Sequence, residues 1–160
     1  MTLSAKLRNL AAASLWLHPR AQKAVLRAVG FRLGSGTFIS PPVTFRGSKV
    51  STGPGCYLNS GVFVGRGSLT LGSNVFVGPG VMFITDSHEM GPAAKRAGRD
   101  IEEPIQVGDG VWLGARAVVL GNVNIAPGCV IGAGAVVTKS TEPNGLYLGA
   151  PARRARDLPE

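Results

Sequence analysis

The sequence predicts a mainly β protein: a parallel β-helix of about five triangular coils, with an N-terminal helical cap and one long excursion loop. Three observations carry that expectation. Apolar residues recur every six positions over 107–141, glycine gathers at one phase of the repeat, and a single polar stretch, 88–104, breaks it.

Val107, Leu113, Val119, Ile125, Ile131 and Val137 stand six apart without a gap. A second series four residues later reads Val111, Ala117, Val123, Cys129, Ala135 and Thr141, all small or β-branched. Six matches neither the strand period of two nor the helical 3.6, but it accommodates a short strand and a corner. Three such units close a triangle, and successive triangles stack at the strand spacing of about 4.8 Å. Upstream the same phase runs in coils one residue longer, through Leu33, Thr52 and Leu71, then Ile39, Leu58 and Val77, then Phe45, Val64 and Phe83. Only Thr52 among these leading positions is not apolar. Glycine follows the leader in eight of fifteen units, where 23 glycines in 160 residues would place about two, so the corners demand it. A β-sandwich would also be glycine-rich, but would not hold this phase for so long.

The domain organisation follows: a cap over 1–32, a β-helix over 33–141 with the loop 88–104 inserted, and a C-terminal tail over 142–160. In the cap, Leu3, Leu7, Leu10 and Ser14 share one helical face, and Ala21, Val25, Ala28 and Val29 suggest a second helix after Pro19. A helical cap would cover the core and unpaired edges that a solenoid end exposes. A basic amphipathic helix lying on an anionic membrane is compatible with that role.

The formal charge of +8, with Lys6, Arg8, Arg20, Lys23, Arg27 and Arg32 unopposed by any acid in the first 32 positions, points to phosphate or an anionic surface. No apolar run reaches the length of a membrane span. Residues 10–17 faintly resemble a signal peptide, but no small-residue cleavage site follows. A cytoplasmic location is therefore expected, with contact at the inner membrane surface left open. Cys56 and Cys129 fall at one corner three coils apart, about 14 Å, too far for a disulfide. They read as core thiols.

The excursion adds about 18 residues, and a polar loop of that size thrown from a rigid solenoid is commonly functional. His88 stands where it departs, flanked by Asp86, Ser87 and Glu89. An imidazole held there by a carboxylate or a carbonyl suits proton abstraction near neutral pH. A lone surface histidine beside acids is also commonly inert.

The segments TDSHEMG (85–91), PIQVGDGVWLGARAVV (104–119), VIGAGAVVTKS (130–140) and LGAPARRAR (148–156) occur in that order. With the repeat, they resemble the hexapeptide acyltransferases, in particular the galactoside, maltose and polysaccharide O-acetyltransferase branch. The resemblance covers about Leu33 to Arg156. It implies a left-handed coil, coenzyme A or acetyl-coenzyme A as co-substrate, no metal, and a homotrimer with active sites between subunits. A flat-sided prism suits three-fold packing. By the same resemblance His88 matches the general base, and the backbone N–H of Ala115 the oxyanion donor. Trp112, Gly114, Ala115 and Ala133 match the pantetheine end of the groove. Thr138, Lys139, Arg153 and Arg156 match the end that receives the nucleotide phosphates.

One departure stands out. The sugar acetyltransferases carry an acceptor-holding aspartate in the second coil, where this chain has Gly65 and Arg66. Asp86, Glu89, Arg66 and Arg96 are the acceptor-binding candidates. Arg66, with Lys95, Arg96 and Arg99, suits a negatively charged or lipid-linked sugar, glycan or natural-product acceptor. A zinc carbonic anhydrase of this shape needs three histidines, and the chain has two. A serine acetyltransferase would bring a longer helical N-terminal domain. Nucleic-acid binding lacks a reader motif. A non-catalytic scaffold or binding protein of the same fold is the remaining alternative.

Overall fold

The computed structural model describes residues 3–47 and 49–160. Two helices, α1 (Leu3–Ala13) and α2 (Pro19–Ala28), lead into a left-handed parallel β-helix with three sheets as its sides. The first side stacks Arg32–Leu33, Val50–Thr52, Leu69–Leu71, Ile105–Val107 and Asn124–Ile125. The second stacks Phe38–Ile39, Tyr57–Leu58, Phe76–Val77, Trp112–Leu113, Val130–Ile131 and Gly145–Leu148. The third stacks Thr44–Phe45, Phe63–Val64, Met82–Ile84, Val118–Leu120 and Val136–Val137. Five coils are complete, and Gly145–Leu148 begins a sixth.

The six-residue phase has a simple physical origin. In each short strand one residue points inward and its neighbour outward. The inward series from Leu33 to Val137 is buried, with Phe45, Leu58, Val64, Phe83, Leu113, Ile125 and Ile131 fully so. Thr52 keeps its buried place by hydrogen bonding: its Oγ1 lies 2.9 Å from Thr37 Oγ1 and accepts from the Gly34 N–H at 3.2 Å. Both cysteines are free and buried, and each thiol faces a carbonyl, Gly72 O for Cys56 and Glu142 O for Cys129.

Residues 142–160 stay attached to the sheets. Gly145–Leu148 pairs in parallel with Val130–Ile131, and Arg153–Asp157 returns antiparallel to cover the edge so exposed. Arg154 ties this end together, reaching the Glu142 carbonyl, the Tyr147 hydroxyl and Asp157.

At the other end the helices close the first coil, but not with the leucine face the sequence marks out. Arg8, Ala11 and Ala12 are the buried residues of α1, whereas Leu3, Leu7 and Leu10 are exposed. The strand edge dictates this choice. Two small alanines let the helix approach closely, so the Ala12 carbonyl accepts from the Val43 N–H at 2.9 Å. The Arg8 guanidinium donates to the Phe45 and Arg46 carbonyls, which the coil leaves unpaired. In α2, Gln22 and Leu26 are buried, Val25 and Val29 pack at the margin of the core, and Ala21 and Ala28 are exposed.

The outward residues differ from side to side. On the first side they are Arg32, Ser51, Thr70, Gln106 and Asn124, all polar. On the second they are Phe38, Tyr57, Phe76, Trp112, Val130 and Leu146. The rings of Phe38, Tyr57 and Phe76 stack with centroids 5.3 and 5.1 Å apart. The third side shows Thr44, Phe63, Met82, Val118 and Val136.

Candidate functional site

The excursion is a β-hairpin, Asp86–Met90 against Ala97–Glu102, leaving the coil at the end of the third side. Its antiparallel register sets Asp86 opposite Glu102 and His88 opposite Asp100, so all four side chains share one face. The register shifts between His88 and Met90. Lys49 pairs with Glu102 at 2.8 Å and holds that end of the hairpin to the coil.

His88 is half-exposed. Its Nδ1 lies 3.0 Å from Asp100 Oδ1 and 3.3 Å from the Gly98 carbonyl. Both neighbours are acceptors, since the Arg66 guanidinium beside Asp100 holds that carboxyl below the usual carboxylate range. Nδ1 therefore carries the proton, and Nε2 is left as the basic nitrogen. This is the tautomer a general base needs.

Arg66 forms the centre of the surrounding charge network. Its Nε donates to Asp86 Oδ2 at 3.1 Å, its NH2 nitrogen to Asp100 Oδ2 at 2.9 Å, and its backbone N–H to Asp86 Oδ1 at 3.0 Å. Arg46 approaches Asp86 from the preceding coil at 3.5 Å. One guanidinium thus bridges a carboxylate from each hairpin strand, and the two carboxylates, Asp100 foremost, raise its own pKa in return. Gly65 makes the arrangement possible, because a Cβ there would collide with the Asp86 carboxylate. Glu89 pairs with Arg99, and Arg96 reaches the Gly91 carbonyl at 3.4 Å in the hairpin turn.

The proposed coenzyme contacts fall elsewhere. Ala115 and Ala133, with Pro79, Gly80, Arg116 and Gly134, line a groove of about 720 Å³ at the corner leading from the second side into the third. Neither the Ala115 nor the Ala133 N–H donates to an acceptor among the described residues. Gly114 permits the close stacking, since a Cβ on it would stand 2.6 Å from the Ala133 nitrogen. Trp112 is half-exposed one strand before this corner, between Phe76 and Val130. Lys139 and Arg153 meet in a second cleft of about 240 Å³, with Ser140, Tyr147 and Arg154. Thr138 is exposed beside Lys139, and Arg156 is exposed on the last strand, opposite Leu146.

Residues the sequence reading did not single out include Asp100, which contacts the imidazole, and Arg116, which lines the groove with φ of 57°. An acid twelve residues beyond His88 on the far arm of a loop was the only available signal for Asp100. A single chain does not join His88 and the groove: the groove opens at the corner before Met82–Ile84, and His88 lies beyond that strand's other end. The side between them is roughly 10 Å of strand.

A family profile for bacterial transferase hexapeptides (six repeats) matches residues 104–139. A Schizosaccharomyces pombe protein classed provisionally as an acetyltransferase is 38% identical over 80% of this chain and 63% of its own length. The galactoside O-acetyltransferase of Lactococcus lactis is 32% identical over 88% of this chain and 69% of its own. The chain thus spans about two thirds of the length of these relatives. Among solved structures, a hexapeptide-repeat acetyltransferase of Vibrio cholerae complexed with acetyl-coenzyme A superposes with a TM-score of 0.85. It is 28% identical and covers 98% of this chain and 86% of that one.

Proposed function

The chain belongs to the hexapeptide-repeat acetyltransferase family, and from that premise we propose that it transfers an acetyl group from acetyl-coenzyme A to a hydroxyl or amine of a sugar or glycan acceptor. The observation that carries the proposal is the presentation of His88, with Nδ1 facing two acceptors and Nε2 free.

Nε2 takes the proton of the acceptor group as that group attacks the thioester carbonyl. The bond to the acceptor forms, and the carbonyl oxygen becomes an oxyanion that the free Ala115 N–H is placed to stabilise. Collapse breaks the carbon–sulfur bond, and the departing thiolate takes up the proton that the imidazolium carries. Asp100 steadies that imidazolium, and Arg66 keeps Asp100 ionised and in position. The corner residues fit a pantetheine arm, because small side chains and two unoccupied N–H groups line it. Lys139 and Arg153 supply charge for phosphates one coil further on.

Arg66 supports the hairpin through two ion pairs, so its role is to position His88 and not to meet an anionic acceptor. Lys95 and Arg96 remain the loop cations for a negatively charged acceptor. We read the protein as a homotrimer in which the apolar second and third sides are covered by contacts between copies. Those sides are apolar and the first is polar, and a heterologous contact repeated three times closes a ring. In that ring the base of one subunit meets the groove of its neighbour.

The test is thiol release from acetyl-coenzyme A with a panel of neutral and anionic sugar acceptors. His88→Ala should lower acceptor-dependent release by about 10²- to 10⁴-fold with the fold intact. A scaffold would show no such release for the variant to lose.

A further inference from the structure

We propose that the N-terminal cap is a docking surface for an anionic lipid bilayer, which Leu3, Leu7, Leu10, Leu15 and Trp16 enter at the interfacial layer. The inference is independent of the acyl-transfer reading, because none of these residues touches the hairpin or the groove.

Leu3, Leu10 and Leu15 are 73%, 69% and 72% exposed, and Trp16, in the turn between α1 and α2, is 96% exposed. A cap needed only to close the coil would turn its leucines inward, but that work is done by Arg8, Ala11, Ala12 and Leu26. The leucines of α1 instead form an outward stripe continuous with Leu15 and Trp16, bordered by Lys6. Tryptophan with leucine at one end of a molecule is the composition that membrane interfaces favour.

Positions 1–85 hold nine lysines and arginines and no aspartate or glutamate, whereas 86–160 hold eight and nine. The excess of positive charge therefore belongs to the half that carries the cap. Arg8, Lys23 and Arg27 are engaged with carbonyls of the first coil. Lys6, Arg20 and Arg32 are exposed and have no ion pair among the described residues. An apolar stripe on the half of the chain that carries unopposed cations complements an acidic leaflet. It would repel a second copy of the same cap.

Co-sedimentation of the full chain with vesicles tests this. Binding is expected to phosphatidylcholine vesicles containing about one quarter phosphatidylglycerol, and to weaken as salt rises from about 0.05 to about 0.5 M. Leu15→Ser with Trp16→Ser should lower the partition at least about tenfold, and Lys6→Glu with Arg20→Glu by a similar factor. Thiol release in solution and the thermal midpoint should not change in either pair. The proposal is overturned by no binding to the mixed vesicles, by equal binding to pure phosphatidylcholine, or by retained binding in both variants. It is equally overturned if light scattering shows that Leu15→Ser with Trp16→Ser splits a larger assembly, since the stripe would then be a contact between copies.

Discussion

The three sides of the prism share one inward code and differ in their outward one. Inside, every strand but those carrying Thr52 and Tyr147 offers Val, Ile, Leu or Phe at the same phase, because every side borders the same narrow core. Outside, the first side reads Arg, Ser, Thr, Gln, Asn, while the second reads Phe, Tyr, Phe, Trp, Val, Leu. Stacking does not require that difference, since a β-helix closes with any outward residues that tolerate strand geometry. The first side is polar towards water, and the other two present apolar surface. The candidate groove lies where the two apolar sides meet, and His88 lies beyond the far edge of one of them.

Phe76→Asp is the strongest way to break the comparison. A carboxylate in the centre of the aromatic side should dissolve the assembly and lower acyl transfer at least about a hundredfold, because an unpaired buried charge costs several kcal/mol. Light scattering beside thiol release checks it, and an active assembly of unchanged mass would contradict the packing.

A smaller effect is expected at the hairpin. Asp100→Asn should lower kcat by about tenfold or more and leave KM for acetyl-coenzyme A nearly unchanged, since it alters the imidazole's partner and not the groove. Arg66→Ala should reproduce that pattern with neutral and anionic acceptors alike. A loss confined to anionic acceptors would instead make Arg66 a substrate contact. Because Arg66 depresses the Asp100 pKa, their link is intact above the ordinary carboxylate value of about 4 and disappears as pH falls through the lowered one.

Lys139→Ala and Arg153→Ala should each raise KM for acetyl-coenzyme A about three- to tenfold with kcat retained, measured against a truncated thioester lacking the nucleotide, which should show no change. Thr70→Asp on the polar side supplies the lower bound. Mass and activity should match the parent, and stability should stay within about 0.5 kcal/mol of it.

Much of this molecule was legible in its residues. The six-residue phase located the five complete coils, including the switch from 19- to 18-residue spacing, since burial of alternate residues on short strands leaves a periodic trace, but it did not extend to Gly145–Leu148, which begins a sixth. Even Thr52 was visible as an exception, though its partner Thr37 was not. The histidine showed as a polar break beside acids, and the family resemblance suggested a role for it. Asp100 was out of reach because its place depends on hairpin register, and the irregularity after His88 shifts that register by an amount no spacing rule states. The leucine stripe of α1 was visible, but which way it faces was not.

The sequence by itself determined the coil, the corners and the position of the break, because each of these is set by neighbours a few residues away along the chain. Only the tertiary structure decided which face of α1 turned inward, which acid met the imidazole, and that Arg66 was already paired. Those outcomes depend on groups far apart in the chain competing for the same few unpaired carbonyls and charges, and that competition is settled in space.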